Sequence, residues 1–189
     1  EATAFIGLTY GGDDDPFSAY ITYVLSSAGD AEATIDEPVE ISNHNPDDTL
    51  NLQWFEFTDL DLDPAFGDNA ARSVGAGHIE QTSAVLSQVD VVVTDGPLPD
   101  HWEIAEADEL AAKLADGSTT NLSNAKTPFG PTDVAHAFQW HLNLAPGEST
   151  IITKSKSGQF AEVLLPDEPE PDGGFHFEFE VVVIEPRWF

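Results

Sequence analysis

Val134-Ala135-His136-Ala137-Phe138-Gln139-Trp140-His141-Leu142-Asn143-Leu144, then Ala145-Pro146-Gly147-Glu148, then Ser149-Thr150-Ile151-Ile152-Thr153-Lys154-Ser155 is the stretch on which the fold turns. Val134, His136, Phe138, Trp140, Leu142 and Leu144 share one parity, while Ala135, Ala137, Gln139, His141 and Asn143 take the other. Successive side chains of a strand point to opposite faces, so this alternation predicts a strand with one apolar face. Pro146-Gly147 predicts a turn and 149–155 a returning strand, the whole reading as a hairpin. His136 sits on the apolar face and is expected to be a hydrogen-bonded core residue.

Working outward, the pattern stays β. Residues 2–10 (ATAFIGLTY) are apolar on both faces, as in a buried or inserted strand. Gly11-Gly12-Asp13-Asp14-Asp15-Pro16 breaks the chain, and 17–25 (FSAYITYVL) predicts a second strand. Further strands are expected at 38–42, at 50–58, and over 78–94 as one long strand or two shorter ones. Leu50, Leu52 and Trp54 share one parity but Phe55 and Phe57 the other, which predicts a β-bulge. Ile104, Ala107, Leu110, Ala111 and Leu114 fall at helical spacing, so a helix is expected over 103–115, closed at Asp116-Gly117. Trp102 would begin that helix, partly exposed, with Trp54 and Trp140 in the core. The fold class is therefore all-β: a β-sandwich, jelly-roll or Ig-like, with one short helix near 103–115 in a single domain over 1–189.

Lys plus Arg is 6 and Asp plus Glu is 35, a formal charge of −29. A polyanion is repelled by phosphate backbones, so no nucleic-acid partner is expected. With 41% hydrophobic residues, 12 Phe and 4 Trp, the chain can still build a core beneath a carboxylate shell, and salt would screen that shell's self-repulsion. There is no Cys and no Met, which excludes disulfides, thiolate nucleophiles and Cys-ligated zinc. Glu1-Ala2-Thr3-Ala4 reads as the start of an exported, processed chain or as a trimmed end. No apolar run is long enough to span a bilayer, so no membrane insertion is expected.

Asp59-Leu60-Asp61-Leu62-Asp63 places carboxylates at every second position, on one face of an extended chain, with Asp68 or Asn69 able to fold back. Asp59, Asp61, Asp63 and Asp68 are the candidate ligands of Ca2+ or another divalent cation, the alternative being a solvated acidic turn. The six histidines form no metal-binding spacing; His176 and Glu178 would share a strand face. No nucleophile elbow, P-loop or dinucleotide fingerprint is present, and the chain is not expected to be an enzyme.

Asp167-Glu168-Pro169-Glu170-Pro171-Asp172-Gly173-Gly174 reads as an acidic, Pro-rich linker. It is followed by a strand in which Phe175, Phe177, Phe179, Val181 and Val183 alternate with His176, Glu178, Glu180, Val182 and Ile184. Linker plus strand occupy 166–189. Both chain ends are thus apolar strands. Phe5, Ile6, Leu8 and Tyr10 of a 1–12 N-terminal segment are the candidate assembly contacts, and Phe175, Phe177, Phe179, Trp188 and Phe189 the candidate C-terminal ones. A terminal strand can complete the sheet of a neighbouring copy through main-chain hydrogen bonds.

Three phrases resemble one known class: Trp54 to Leu62, Leu110 to Leu122, and Ala137 to Gly147 continuing through Ile152-Thr153-Lys154-Ser155-Lys156. The region of about 35–157 resembles the ectodomains of secreted PEP-CTERM-class bacterial surface and extracellular-matrix proteins. The resemblance implies export to the cell surface or exterior and supplies no defined reaction. The sequence departs from that class after Pro169-Glu170-Pro171, where a Phe/Val strand is expected in place of the usual C-terminal sorting helix, so anchoring by that route is not expected. The expected function is an extracellular structural protein, a homo-polymeric subunit of a fibre, sheath or surface layer, with donor-strand exchange as the route. The alternative is a monomeric secreted module that binds carbohydrate or matrix polysaccharide.

Overall fold

The computed structural model describes residues 3–11, 15–29, 32–62, 69–83, 88–116, 118, 120–125 and 128–159. Among these residues eleven strands and one helix follow in the order β1 (Thr3–Tyr10), β2 (Phe17–Gly29), β3 (Glu32–Asn43), β4 (Leu50–Asp59), β5 (Asn69–Gly75), β6 (His78–Thr82), β7 (Gln88–Asp95), β8 (His101–Glu106), α1 (Ala107–Ala115), β9 (Phe129–Thr132), β10 (Val134–Leu144) and β11 (Ser149–Gln159). They form two antiparallel sheets. The larger has eight strands in the order β1-β2-β3-β11-β7-β6-β5-β9, and the smaller has three, β4-β10-β8. The fold is all-β and sandwich-like, with a single short helix among the described residues.

The two sheets meet through their alternating apolar faces. Ile21, Val39, Ile41, Ile79, Val91 and Ile152 of the larger sheet pack against Leu50, Trp54, Ile104, Phe138 and Trp140 of the smaller. Both strands expected over 134–155 are present, but they do not pair with each other. β10 and β11 do not form a hairpin. The turn at Ala145–Glu148 carries the chain from the smaller sheet to the larger, where β11 pairs with β3 and β7. Buried Asn43 holds this crossing by donating through Nδ2 to the carbonyls of Leu144 and Ala145 at 3.0 and 3.1 Å. Its backbone N–H meets the Glu148 carbonyl at 2.9 Å. The turn's main-chain groups are thereby satisfied without a hairpin ladder.

The parity change at Trp54/Phe55 is also not a bulge. The β4–β10 register runs unbroken from Leu50↔Leu144 to Asp59↔Ala135. Both faces of the small sheet are covered instead. Leu50, Leu52 and Trp54 face the large sheet, whereas Phe55 packs with Ala135, Ala137, Leu110 and Leu114 beneath α1, with Phe57 at the margin. Alanines on β10 leave the room that the helix occupies.

The helix is shorter than its spacing predicts, 107–115 rather than 103–115. Residues 101–106 are strand because β10 supplies them a ladder, from His101↔Gln139 to Glu106↔Val134. Ile104, which fitted the helical stripe, points into the core between the sheets. Trp102 is buried there too, not partly exposed. The 78–94 segment resolves into two strands, β6 and β7.

The N-terminal strand departs most from expectation. It lies at the edge of its own sheet, pairing with β2 from Thr3↔Ser26 to Tyr10↔Ala19. It is not buried: Ile6 is 64% exposed, Leu8 47% and Tyr10 42%. Their cross-strand partners Tyr23, Ile21 and Ala19 belong to or border the core, so the three residues are on the inward face. Three strands are too few to reach across and cover it.

Replacing Ala137 by Leu tests the second core. It should overpack the space under α1 and destabilise the protein by about 1–3 kcal/mol. Thermal unfolding would read the loss; an unchanged midpoint would count against a close-packed seat for the helix.

Candidate functional site

Four ionisable side chains that face one another across the sandwich form its most unusual feature. Glu37 of β3 stands directly opposite Lys154 of β11 in the large sheet, and Lys156 follows two residues on along the same face. Glu56 reaches in from β4 of the small sheet. All four are buried, Lys154 at 1% exposure and Glu37 at 3%. A β-bulge between Thr153 and Lys154 in the β7–β11 pairing immediately precedes the first lysine.

The contacts close on each other. Lys154 Nζ abuts Glu56 Oε2, the closest ion pair among the described residues, and lies 3.2 Å from Glu37 Oε2. Lys156 Nζ donates to Glu37 Oε2 at 2.9 Å. Trp54 Nε1 donates to Glu56 Oε1 at 3.0 Å. The Tyr23 hydroxyl hydrogen-bonds to Glu37, and burial followed by the two nearby carboxylates pushes its pKa far up. Two anions and two cations thus lie in an apolar interior.

Burial and charge pull these groups in different directions. Burial alone would raise the Glu37 carboxyl, but Lys154 and Lys156 outweigh it and hold it below the usual carboxylate range. For Glu56 burial wins, with Glu37 adding to it against the pull of Lys154, so its carboxyl is raised. Lys154 would be lowered by burial, yet its two carboxylates keep it above the ordinary lysine value. Lys156 is lowered, by burial first and by Lys154 next. Taking such charges out of water costs several kcal/mol per ion, which mutual attraction recovers only with close geometry.

His136 adjoins the cluster on β10. It is fully buried, as its parity required. The expected hydrogen bond is absent: neither ring nitrogen has a partner among the described residues. Its ring meets Phe138 edge-on at 5.9 Å. Burial, then Lys156 and Lys154, pull its pKa from 6.5 down to about 3.

The second gathering of charge is acidic. Asp59, at the end of β4, and Asp61 come together with Asp133, their carboxylate oxygens all within 4.8 Å of one another. Two of the four expected cation ligands therefore converge. Asp63 and Asp68 lie outside the described residues. Asp133 went unnoticed in the sequence because it joins through pairing: extending the Ala135↔Asp59 register by two places sets it beside Asp61. Three carboxylates suit a hard cation such as calcium but supply half or fewer of its six to eight oxygens, leaving carbonyls and water to complete a shell.

The buried quartet was also missed, although a signal existed. The chain has only 6 Lys and Arg side chains, and two of them, Lys154 and Lys156, share the parity of Ile152 at the returning strand. Of the candidate assembly residues, Phe5, Ile6, Leu8 and Tyr10 all lie on β1. Phe175, Phe177, Phe179, Trp188 and Phe189, with the whole 166–189 linker and strand, lie outside the described residues.

His136 gives this site a pH signature. Its folded pKa lies below its unfolded one, so the unfolded chain takes up the proton first as pH falls below 6.5. Stability is lost from there down to about 3, at roughly 1.4 kcal/mol per pH unit. Between pH 7 and pH 5 the wild type should lose about 2 kcal/mol that His136→Leu does not lose. Urea midpoints at the two pH values measure this; parallel losses in both proteins would refute it.

No protein-family model matches the chain, and no curated protein matches it. The resemblance to PEP-CTERM-class ectodomains rests on its three phrases alone.

Proposed function

We propose that this chain is an extracellular structural protein whose copies assemble through the uncovered edge of the larger sheet. The observation that carries the reading is the inward face of β1 and β2. Ile6, Leu8, Tyr10 and Leu25 are 64%, 47%, 42% and 41% exposed on a face that elsewhere forms the core. An edge strand offers unpaired N–H and C=O groups along its outer side, and natural proteins usually blunt such edges with charge or proline. β1 (TAFIGLTY) carries neither. A strand from a second copy would gain main-chain hydrogen bonds there and cover the apolar row. Where the incoming strand is a different segment of the next copy and not its own β1, the contact is head-to-tail and repeats into a filament.

The charge of −29 sets the condition for assembly. Repulsion between copies opposes contact at low ionic strength, and salt shortens its range to a few ångströms. An acidic shell of this kind suits a saline exterior, which is what supports the extracellular placement. Among the described residues, no helix is long and apolar enough to cross a membrane.

A monomeric carbohydrate-binding module would need aromatic rings in an exposed row. Trp54, Trp102 and Trp140 are all buried. Tyr10 and Tyr20 are exposed but lie on opposite faces of the sheet, as their neighbours Ala19 and Thr9 in the register show. Nothing among the described residues favours that second reading.

Light scattering and electron microscopy in molar salt test the proposal. The full chain should form large particles. Ile6→Lys and Leu8→Lys should each leave monomers with unchanged far-UV circular dichroism, and deletion of residues 1–10, which removes β1 itself, should also leave monomers. Fibres of the same kind from the lysine variants would overturn it.

A further inference from the structure

We propose that Lys154 and Glu56 condense into an intramolecular isopeptide bond that ties the two sheets together, with Glu37 relaying the protons. The case begins with position. Lys154 comes from the large sheet and Glu56 from the small one, and the lysine nitrogen abuts the carboxyl oxygen in a site sealed from water. Holding a nucleophile against its target in a fixed geometry removes most of the entropic barrier to reaction.

The remaining parts of an acyl-transfer site are present around this pair. Glu56 Oε1 accepts a hydrogen bond from Trp54 Nε1 at 3.0 Å, which places a fixed donor where negative charge develops on that oxygen. Glu37 Oε2 is 3.2 Å from Lys154 Nζ, within reach to accept its protons. Lys156 and Tyr23 hold Glu37 in place. Burial raises the Glu56 carboxyl, whereas Lys154 and Lys156 keep Glu37 ionised as the proton acceptor; the reacting pair starts from its ammonium and carboxylate forms.

The reaction balances without a co-reactant. Glu37 takes a proton from the Lys154 ammonium, and the free Nζ attacks Cδ of Glu56, forming the C–N bond. The bond from Cδ to Oε2 then breaks. Of the three ammonium protons, one stays on the amide nitrogen and two pass by way of Glu37 to Oε2, which departs as water. One buried cation and one buried anion disappear together, so the net charge is unchanged and the desolvation of both ions is relieved. Lys156 and Glu37 remain as a balanced pair.

Intact mass spectrometry of the denatured full chain decides the matter. The wild type should be lighter than its sequence by one water, and proteolysis should yield one branched peptide containing both Glu56 and Lys154. The full sequence mass, with the two segments recovered separately, would overturn the proposal. So would a lost water that maps to cyclisation of Glu1. Glu56→Gln should lose ammonia in place of water, and Glu37→Gln should retain the full mass. A Glu37→Gln chain that still carries the branched peptide would overturn the relay. Because the wild-type measurement stands by itself, poor folding of a variant does not blunt the test.

Discussion

A three-stranded sheet set over an eight-stranded one is the constraint from which the rest follows. Hydrophobic burial needs two apolar faces in contact, and the smaller face sets how much of the larger can be dried. The covered strip runs from β2 across β3, β11, β7 and β6 to β5 and holds the main core. Beyond it, on β1, the same alternation continues with no described residue opposite. The exposed Ile6–Leu8–Tyr10 row is thus a consequence of sheet width, not a local irregularity.

The small sheet meets a second demand on its outer face. Its middle strand β10 is buried on both sides from Val134 to Trp140. The outer side is closed by α1 and by the loop that follows. Buried Gln139 anchors that loop: its Oε1 accepts from the Leu122 N–H at 2.8 Å, and its Nε2 donates to Asn121 Oδ1 at 3.0 Å. Asn124 then exchanges bonds with the main chain of Trp102, occupying the otherwise open edge of β8. One sheet edge is therefore blunted by a loop, whereas no described residue covers the outer edge of β1.

Placing two lysines and two glutamates between the sheets runs against the economy of an apolar core. A buried ion pair is often no more stabilising than hydrophobic residues of the same volume. Specificity is one effect such groups have: cross-sheet contact between Lys154 and Glu56 exists only when β11 and β4 face each other in one register. A slip by one residue would turn Lys154 and Lys156 outward and bring Thr153 and Ser155 in. The quartet and its neighbour His136 thereby tie sheet-to-sheet alignment to the charge state of the interior.

The period-two alternation in the sequence determined the all-β class, the strands at 17–25, 50–58 and 134–155, and the burial of His136, because side-chain direction in a strand follows from backbone geometry alone. Helical spacing located α1 but misplaced its start, since β10 offered residues 101–106 a ladder that spacing does not record. Which strands pair, and which faces meet, belonged to the tertiary structure. The turn at 145–148 looks the same in sequence whether it closes a hairpin or crosses between sheets. The parity change at Phe55 looks like a bulge until a helix is found on the other side. Asp133 joins Asp59 and Asp61, and Glu56 joins Lys154, only through long-range pairing. Those contacts depend on distances across the fold, and no local window of the chain contains both partners.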